Sequence, residues 1–153
     1  MLSTHRSLSL NFSLRERLLQ ALVARLEPVA TTQGARLLRS PTLAVPKEQC
    51  PALLLFPESE AIADRSNDRV TRELAVRLTA LARGEEAAEV ADRLLVAAHQ
   101  ALFVDVSLGG MALGIKELDT EWDLEDADAT ACAIPARYRI TYRTLVSDLS
   151  LQG

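Results

Sequence analysis

Carboxylates recur at every second position in one stretch of the chain: Glu117, Asp119, Glu121, Asp123 and Glu125. In an extended strand this spacing puts all of them on one face, with successive members roughly 7 Å apart. Oxygen ligands at such a separation admit a hard cation, and paired carboxylates serve glycosidases as acid and base. Arginines repeat the same period a little later, at Arg137, Arg139 and Arg143. Three readings of the acidic row stay open: a solvated strand face, a subunit interface or channel wall, and an oxygen-lined cation site. The Asp/Asn/Gly loop of an EF-hand is absent. Glycosidase chemistry wants a cleft with aromatic platforms, and the chain has one tryptophan, two tyrosines and three phenylalanines. No catalytic residue is assigned.

Other chemistry is sparse. The two histidines, His5 and His99, are far apart, so neither a transition-metal site nor a His-based catalytic site is indicated. His99 is expected at the edge of the polar face of a helix. Cys50 and Cys132 lack CxxC spacing and read as free thiols, Cys132 in a strand core. No GxSxG, Walker A or GxGxxG pattern occurs, and Gly109, Gly110 and Gly114 do not have the spacing of a phosphate loop. No cofactor and no metal are implied.

The chain has 153 residues, which suits one domain. Apolar residues make up 48% and charged residues 25%, an ordinary globular balance. Seventeen basic against 21 acidic residues give a net charge of −4, which disfavours sequence-independent nucleic-acid binding. Apolar runs such as Ala52 to Phe56 are far short of the ~20 residues of a membrane helix.

These side chains must be positioned by elements that the patterning predicts. Residues 1–12 read as a flexible leader without the apolar block of a signal peptide. Residues 13–153 read as a single α+β domain. Ser13 and Glu16 make a capping-box pattern, and Leu14, Leu18, Leu22 and Leu26 form the stripe of a helix that Pro28 stops. Dense prolines follow, and residues 31–69 read as an extended arm or long excursion. Within it, Gly34–Leu38, Leu43–Val45 and Ala52–Phe56 are extended, and Glu58–Arg69 is a mobile loop or hairpin tip.

Residues Val70 to Arg83 alternate as a long half-buried strand, broken by Gly84. Glu85 and Glu86 open a second helix, which runs to about Leu102. After a Gly109–Gly110 turn come a strand from Ile115 to Glu125, a turn over 126–129, and a last strand from Thr130 to Val146. If the last two strands form a hairpin, matching their apolar faces makes even positions oppose even positions. The acidic and arginine rows then share a face, with Glu117 or Asp119 opposite Arg137 or Arg139. The fold class expected is α+β: a mixed, largely antiparallel sheet, two helices packed on one face, and the Pro-rich arm.

The order of these elements resembles the tail terminator, or tail completion, proteins of long-tailed bacteriophages and prophages. The resembling segments are Leu14–Leu26, Pro51–Phe56 and Val70–Ala82. A further stretch carries Asp105, Leu108, Gly109, Gly110, Trp122, the acidic-alanine turn Glu125, Asp126, Ala127 and Asp128, and the series Tyr138, Tyr142, Arg143, Thr144 and Asp148. Leu149 stands where such proteins often carry a proline. The resemblance implies a non-enzymatic minor tail protein that assembles as a homohexameric ring on the tail tube. Such a ring stops tube polymerisation and offers a surface to the head, neck or connector. Its place is the head-proximal end of the virion tail, reached in the host cytoplasm during assembly, with no membrane partner. DNA passes through without specific binding. In such a ring the acids would repel phosphate if they face the lumen, and the arginines would meet acids of an adjacent subunit if they face the interface. A head–tail (neck) joining protein of the same fold, or a small cation- or ligand-binding α+β protein using the acidic strand, are the alternatives.

Overall fold

Ser13 opens the first helix in the computed structural model, which describes residues 12–122 and 131–153. The Ser13 hydroxyl accepts from the Glu16 N–H at 3.0 Å. Glu16 does not return the bond of a full capping box; its carboxylate takes the guanidinium of Arg39 at 2.6 Å, which lowers its pKa. Helix α1 (Leu14–Thr32) buries Leu14, Leu18, Leu19, Leu22, Leu26 and Ala30. It passes through Pro28 instead of stopping there. The reason is local: Ala30 is buried, and the last turn is closed by a Schellman motif. The Ala35 N–H donates to the Ala30 carbonyl at 2.7 Å, and the Gly34 N–H to that of Thr31 at 3.0 Å. Gly34 has φ +69°, so the chain leaves the helix there.

The next segments are β1 (Arg36–Arg39), a single 3-10 turn (Lys47–Gln49), β2 (Ala52–Ser66) and β3 (Arg69–Arg83). Helix α2 (Ala87–Phe103), β4 (Gly114–Thr120) and β5 (Ala131–Leu145) complete the fold. The sheet order is β1-β2-β3-β5-β4. Only β1 runs parallel to its neighbour; the other pairs are antiparallel. The described residues thus form an α+β fold, with two helices and a five-stranded, mostly antiparallel sheet. Among the described residues no helix is long and apolar enough to cross a membrane.

The expected arm is largely sheet. Residues 31–69 supply the end of α1, β1, all of β2 and the first residue of β3; Ser40 to Pro51 is the longest stretch outside the sheet. The expected loop at Glu58–Arg69 is the distal half of β2, paired with β3 as far as Ser66↔Arg69. Its polarity misled because β1 pairs only with residues 52–55, leaving the rest of β2 an exposed edge strand. Charges and bulges are what such an edge carries. The expected leader lies outside the described residues except Phe12.

Both helices pack on one face. Leu53 and Leu55 of β2, Leu74, Val76, Leu78 and Ala80 of β3, and Ile134, Tyr138, Ile140 and Tyr142 of β5 meet the leucines of α1 and Ala91, Leu94, Ala98 and Leu102 of α2. Cys132 is packed against this core, and burial pushes its thiol pKa up. Cys50 belongs to a small cluster with Val45, Ala52 and Leu54 on the opposite face.

The turn after α2 is organised by Asp105. Its carboxylate accepts from the Ser107 hydroxyl and N–H (2.6 and 3.0 Å) and from the Gly109 N–H at 2.9 Å. These bonds, that of the Ser107 hydroxyl first, hold its pKa at about 2. Asp148 is lowered in the same way by Ser150. A depressed folded-state pKa contributes stability that is complete above the ordinary carboxyl range and lost as pH falls through the folded value. Melting temperature should therefore drop between the ordinary Asp value of 3.8 and about 2. Asp105→Asn should flatten that part of the pH profile; an unchanged slope would count against the turn as its source.

Candidate interaction surface of the sheet

Among the described residues no helix covers the second face of the sheet, and the predicted arginines emerge there. Arg137 is its centre. Its Nε donates to Glu58 at 2.8 Å and its Nη1 to Asp119 at 2.7 Å. Glu58 stands on β2 and Asp119 on β4, on either side of the β3–β5 pair. Each reaches Arg137 beside a β-bulge: the β2–β3 register shifts between Pro57 and Ser59, and the β4–β5 register between Glu117 and Asp119. A bulge adds one residue and reverses which face the following side chains take. The two carboxylates hold the guanidinium pKa above its usual range. Arg139 pairs instead with Glu73 of β3 at 3.1 Å. The Arg143 Nε donates to the Thr71 hydroxyl at 3.1 Å. Arg77 pairs with Glu58 at 3.3 Å and lies over the Phe56 ring at 4.5 Å, a cation–π contact.

The bulge at Leu118 breaks the expected acidic row. Ile115↔Ile140 and Glu117↔Tyr138 are paired before it, and Asp119↔Arg137 after it. Odd therefore opposes even in the first half of β4, and only the second half has the expected parity. Asp119 sits opposite Arg137 as expected. Glu117 turns to the helix side, where its carboxylate lies 3.6 Å from His99 of α2. The partner of Arg139 across β4 is Lys116, not an acid. The expected strand also ends at Thr120. Glu121 follows it, and its N–H donates to the Pro135 carbonyl at 3.0 Å. The remaining expected members of the row, Asp123 and Glu125, lie outside the described residues, as does the 126–129 turn. With Glu117 and Asp119 on opposite faces, the neighbouring-carboxylate cation pair does not form. Among the described residues no three His, Cys, Asp or Glu side chains converge as metal ligands.

His99 sits where α2 meets β4. Its Nδ1 is 2.9 Å from the Tyr138 hydroxyl, and its ring stacks on Phe103 at 4.6 Å between centroids. Burial first, and the Glu117 charge second, push the Tyr138 pKa up to about 12. The phenol thus stays neutral over ordinary pH and serves as a packed hydrogen-bonding group.

A recess of about 560 Å³ opens on the helix-free face, floored by Leu54, Phe56 and Thr79 and rimmed by Glu58, Glu121 and Arg137. It holds no nucleophile with a base beside it. The face instead offers ion pairs and a shallow apolar floor, which is the make-up of a surface for contact. Sequence reading missed Glu58, Glu73 and Arg77 as members of this ladder. Glu73 and Arg77 share a parity with Thr71 and Thr79 and were legible as a polar face, but β4 was expected to supply the acids. The lesson is topological: β3, not β4, flanks β5 along its whole length.

No protein-family model matches the chain. No curated protein matches it either. Among solved structures, one described as "Virion of native gene transfer agent (GTA) particle" contains a chain similar over 81% of this one and 90% of its own length. The two share 18% identity, with a TM-score of 0.44.

Proposed function

We propose that this chain is a structural component of a phage-like particle, and that within it the protein caps the tail tube. Copies form a homohexameric ring, end tube polymerisation and present the attachment surface for the head or neck. The observation that carries this reading is the helix-free sheet face. Its three long strands have 15 residues each, a wall roughly 50 Å long. Among the described residues five cations (Arg77, Lys116, Arg137, Arg139, Arg143) stand there with four carboxylates (Glu58, Glu73, Asp119, Glu121). A nearly charge-balanced wall of this kind neither holds nor repels phosphate strongly, which suits a ring through which DNA passes. The residue pattern resembling tail terminators supplies the biological setting. It also supports a place at the head-proximal end of the tail, with assembly in the host cytoplasm. The neck-joining reading uses the same surfaces with a different partner.

The test is genetic. Deleting the gene from its prophage, inducing and measuring tails by electron microscopy should give overlong, scattered tail lengths and unattached heads. Tails of normal length that fail to join heads would move the function to the neck. Normal infectious particles would remove the phage assignment.

A further inference from the structure

β4 is the last strand on its side of the sheet, and among the described residues nothing pairs with its outer edge. The Pro135 carbonyl accepts from the Glu121 N–H at 3.0 Å, and the Thr141 carbonyl from the Leu113 N–H at 2.7 Å. The odd-numbered residues of β5 therefore turn their backbone groups toward β4. The β4 residues opposite even-numbered ones, such as Ile115 (↔Ile140) and Thr120 (↔Ala136), point their N–H and C=O groups outward. Helix α2 lies over β3 and β5 and leaves a recess between itself and β4, so the edge is open on that side too. Two large apolar side chains flank the strand: Leu113 before it and Trp122 after it, 55% and 63% exposed. Lys116 is exposed and has no carboxylate partner among the described residues.

We infer that β4 pairs with β4 of a second copy, antiparallel about a two-fold axis beside Leu118. The bulge selects this partner. Because of it, the helix-free positions are even-numbered before Leu118 (Gly114, Lys116) and odd-numbered after it (Asp119, Glu121). An ordinary strand laid along this edge would have to shift register at the bulge, as β5 does. A second copy carries the same extra residue at the same place, so both strands count equally across it. Only one register lets every helix-free position meet a helix-free position. It sets Lys116 opposite Asp119 of the second copy, and Gly114 opposite its Glu121. On the helix side it sets Ile115 opposite Thr120, where the outward backbone groups of both meet, and Leu113 opposite Trp122. By the two-fold, each contact occurs twice. The register fixed by the faces alone thus also matches charge, unpaired backbone groups and the two exposed apolar side chains. The one like-charge approach is between the two Glu117 carboxylates near the axis; both are exposed, and each lies 3.6 Å from its own His99. Such a pairing covers an edge that could otherwise join foreign strands. It is isologous and stops at two copies, whereas neighbours in a six-membered ring meet head to tail. It is therefore a state of the free protein and does not rest on the tail-capping reading.

The test uses the full chain. Sedimentation velocity over rising concentration should show monomer passing to dimer and no larger species. Emission of Trp122, the sole tryptophan, should shift to the blue along the same curve. Hydrogen exchange at the Ile115 and Thr120 amides should slow as the dimer forms. Lys116→Glu sets an acid against Asp119 and should weaken association at least about tenfold. Asp119→Lys should do the same against Lys116. Mixed in equal amounts, the two variants should dimerise again, because every pair of positions 116 and 119 across the axis is then of opposite charge. Glu117→Gln should tighten the dimer. Circular dichroism checks that each variant folds. If Asp119→Lys fails to fold for want of its bond to Arg137, Lys116→Glu and the two amides carry the test. A parent that stays monomeric to its highest soluble concentration, or that grows beyond a dimer, would overturn the pairing. So would a dimer whose Ile115 and Thr120 amides exchange as in the monomer, or a Lys116→Glu variant that associates like the parent.

Discussion

Glu60→Leu should lower the unfolding free energy by about 3 kcal/mol, a fall in melting temperature of roughly 6–12 °C for a chain of this size. Glu60 was hidden inside the stretch read as a mobile loop. It is instead an anchor between layers. Its carboxylate accepts from Arg15 of α1 at 2.9 Å, from Arg72 of β3 at 3.4 Å, and from the hydroxyl of Tyr142 on β5. Glu60 and Arg72 are only 14% and 12% exposed in their side chains. Tyr142 is fully buried, and burial, then its bond to Glu60, raises its pKa. Removing the carboxylate strands a guanidinium and a phenol together in a poorly hydrated site. Arg72 keeps one other partner, the Thr144 hydroxyl at 3.1 Å, so the loss stays below that of a fully buried ion pair. Glu60→Gln retains an acceptor and should cost about half as much. Chemical denaturation of the three proteins checks this. A cost below ~1 kcal/mol for the leucine variant would mean that water already compensates the cluster.

Leu22→Ala should cost more, about 4 kcal/mol, in the upper part of the range for such truncations. Leu22 is 1% exposed and lies where α1 meets the sheet. With Leu26, Leu55, Leu78 and Leu102 it already borders a small apolar void of about 10 Å³. The other walls have little freedom to close on a larger one. Leu55 and Leu78 face each other on paired strands, and β3 is held on both sides along its length. The new space should therefore persist, and the cavity cost adds to the lost transfer energy. Leu22→Met, which keeps the volume, should cost less than about 1.5 kcal/mol. Urea unfolding measures both, and an unchanged slope with denaturant shows that the native state is otherwise intact. A small effect of Leu22→Ala would mean that α1 can slide into the gap.

The elements that were legible in the sequence share one property: their burial follows one period from end to end. Leu14 to Leu26 keep the helical stripe, Val70 to Ala82 keep their buried large apolar residues on even positions with Arg72 the exception, Ile134 to Tyr142 alternate, and Ala91 to Leu102 hold one face of α2. What was misread departs from a single period. β2 begins with Ala52–Leu55 buried on both faces, then becomes an exposed edge, so its second half looked like a loop. Pro28 looked terminal because the packing of Ala30 and the Gly34 closure lie beyond it. The ion-pair ladder was half visible. Spacing alone gives Glu117 or Asp119 opposite Arg137 or Arg139, and of these pairs Asp119–Arg137 forms, whereas Glu58 and Glu73 require the strand order, which no local pattern contains.

The two bulges beside Arg137 act as phase inverters. On one side of Leu118 the helix-facing residues of β4 are odd-numbered, and on the other side even-numbered; the extra residue at Glu58 does the same to β2 as far as Ile62, where a second register shift restores the phase. A related chain lacking either residue would keep the same sheet only if its parity were reversed to the end of β4, or up to that second shift in β2. Alignments that forbid a single-residue gap at these positions will therefore superpose side chains of one face on those of the other, over Ser59 to Ile62 of β2 and Asp119 and Thr120 of β4. The sheet should therefore be compared in segments cut at Glu58, Ala63 and Leu118, with the parity of each segment left free.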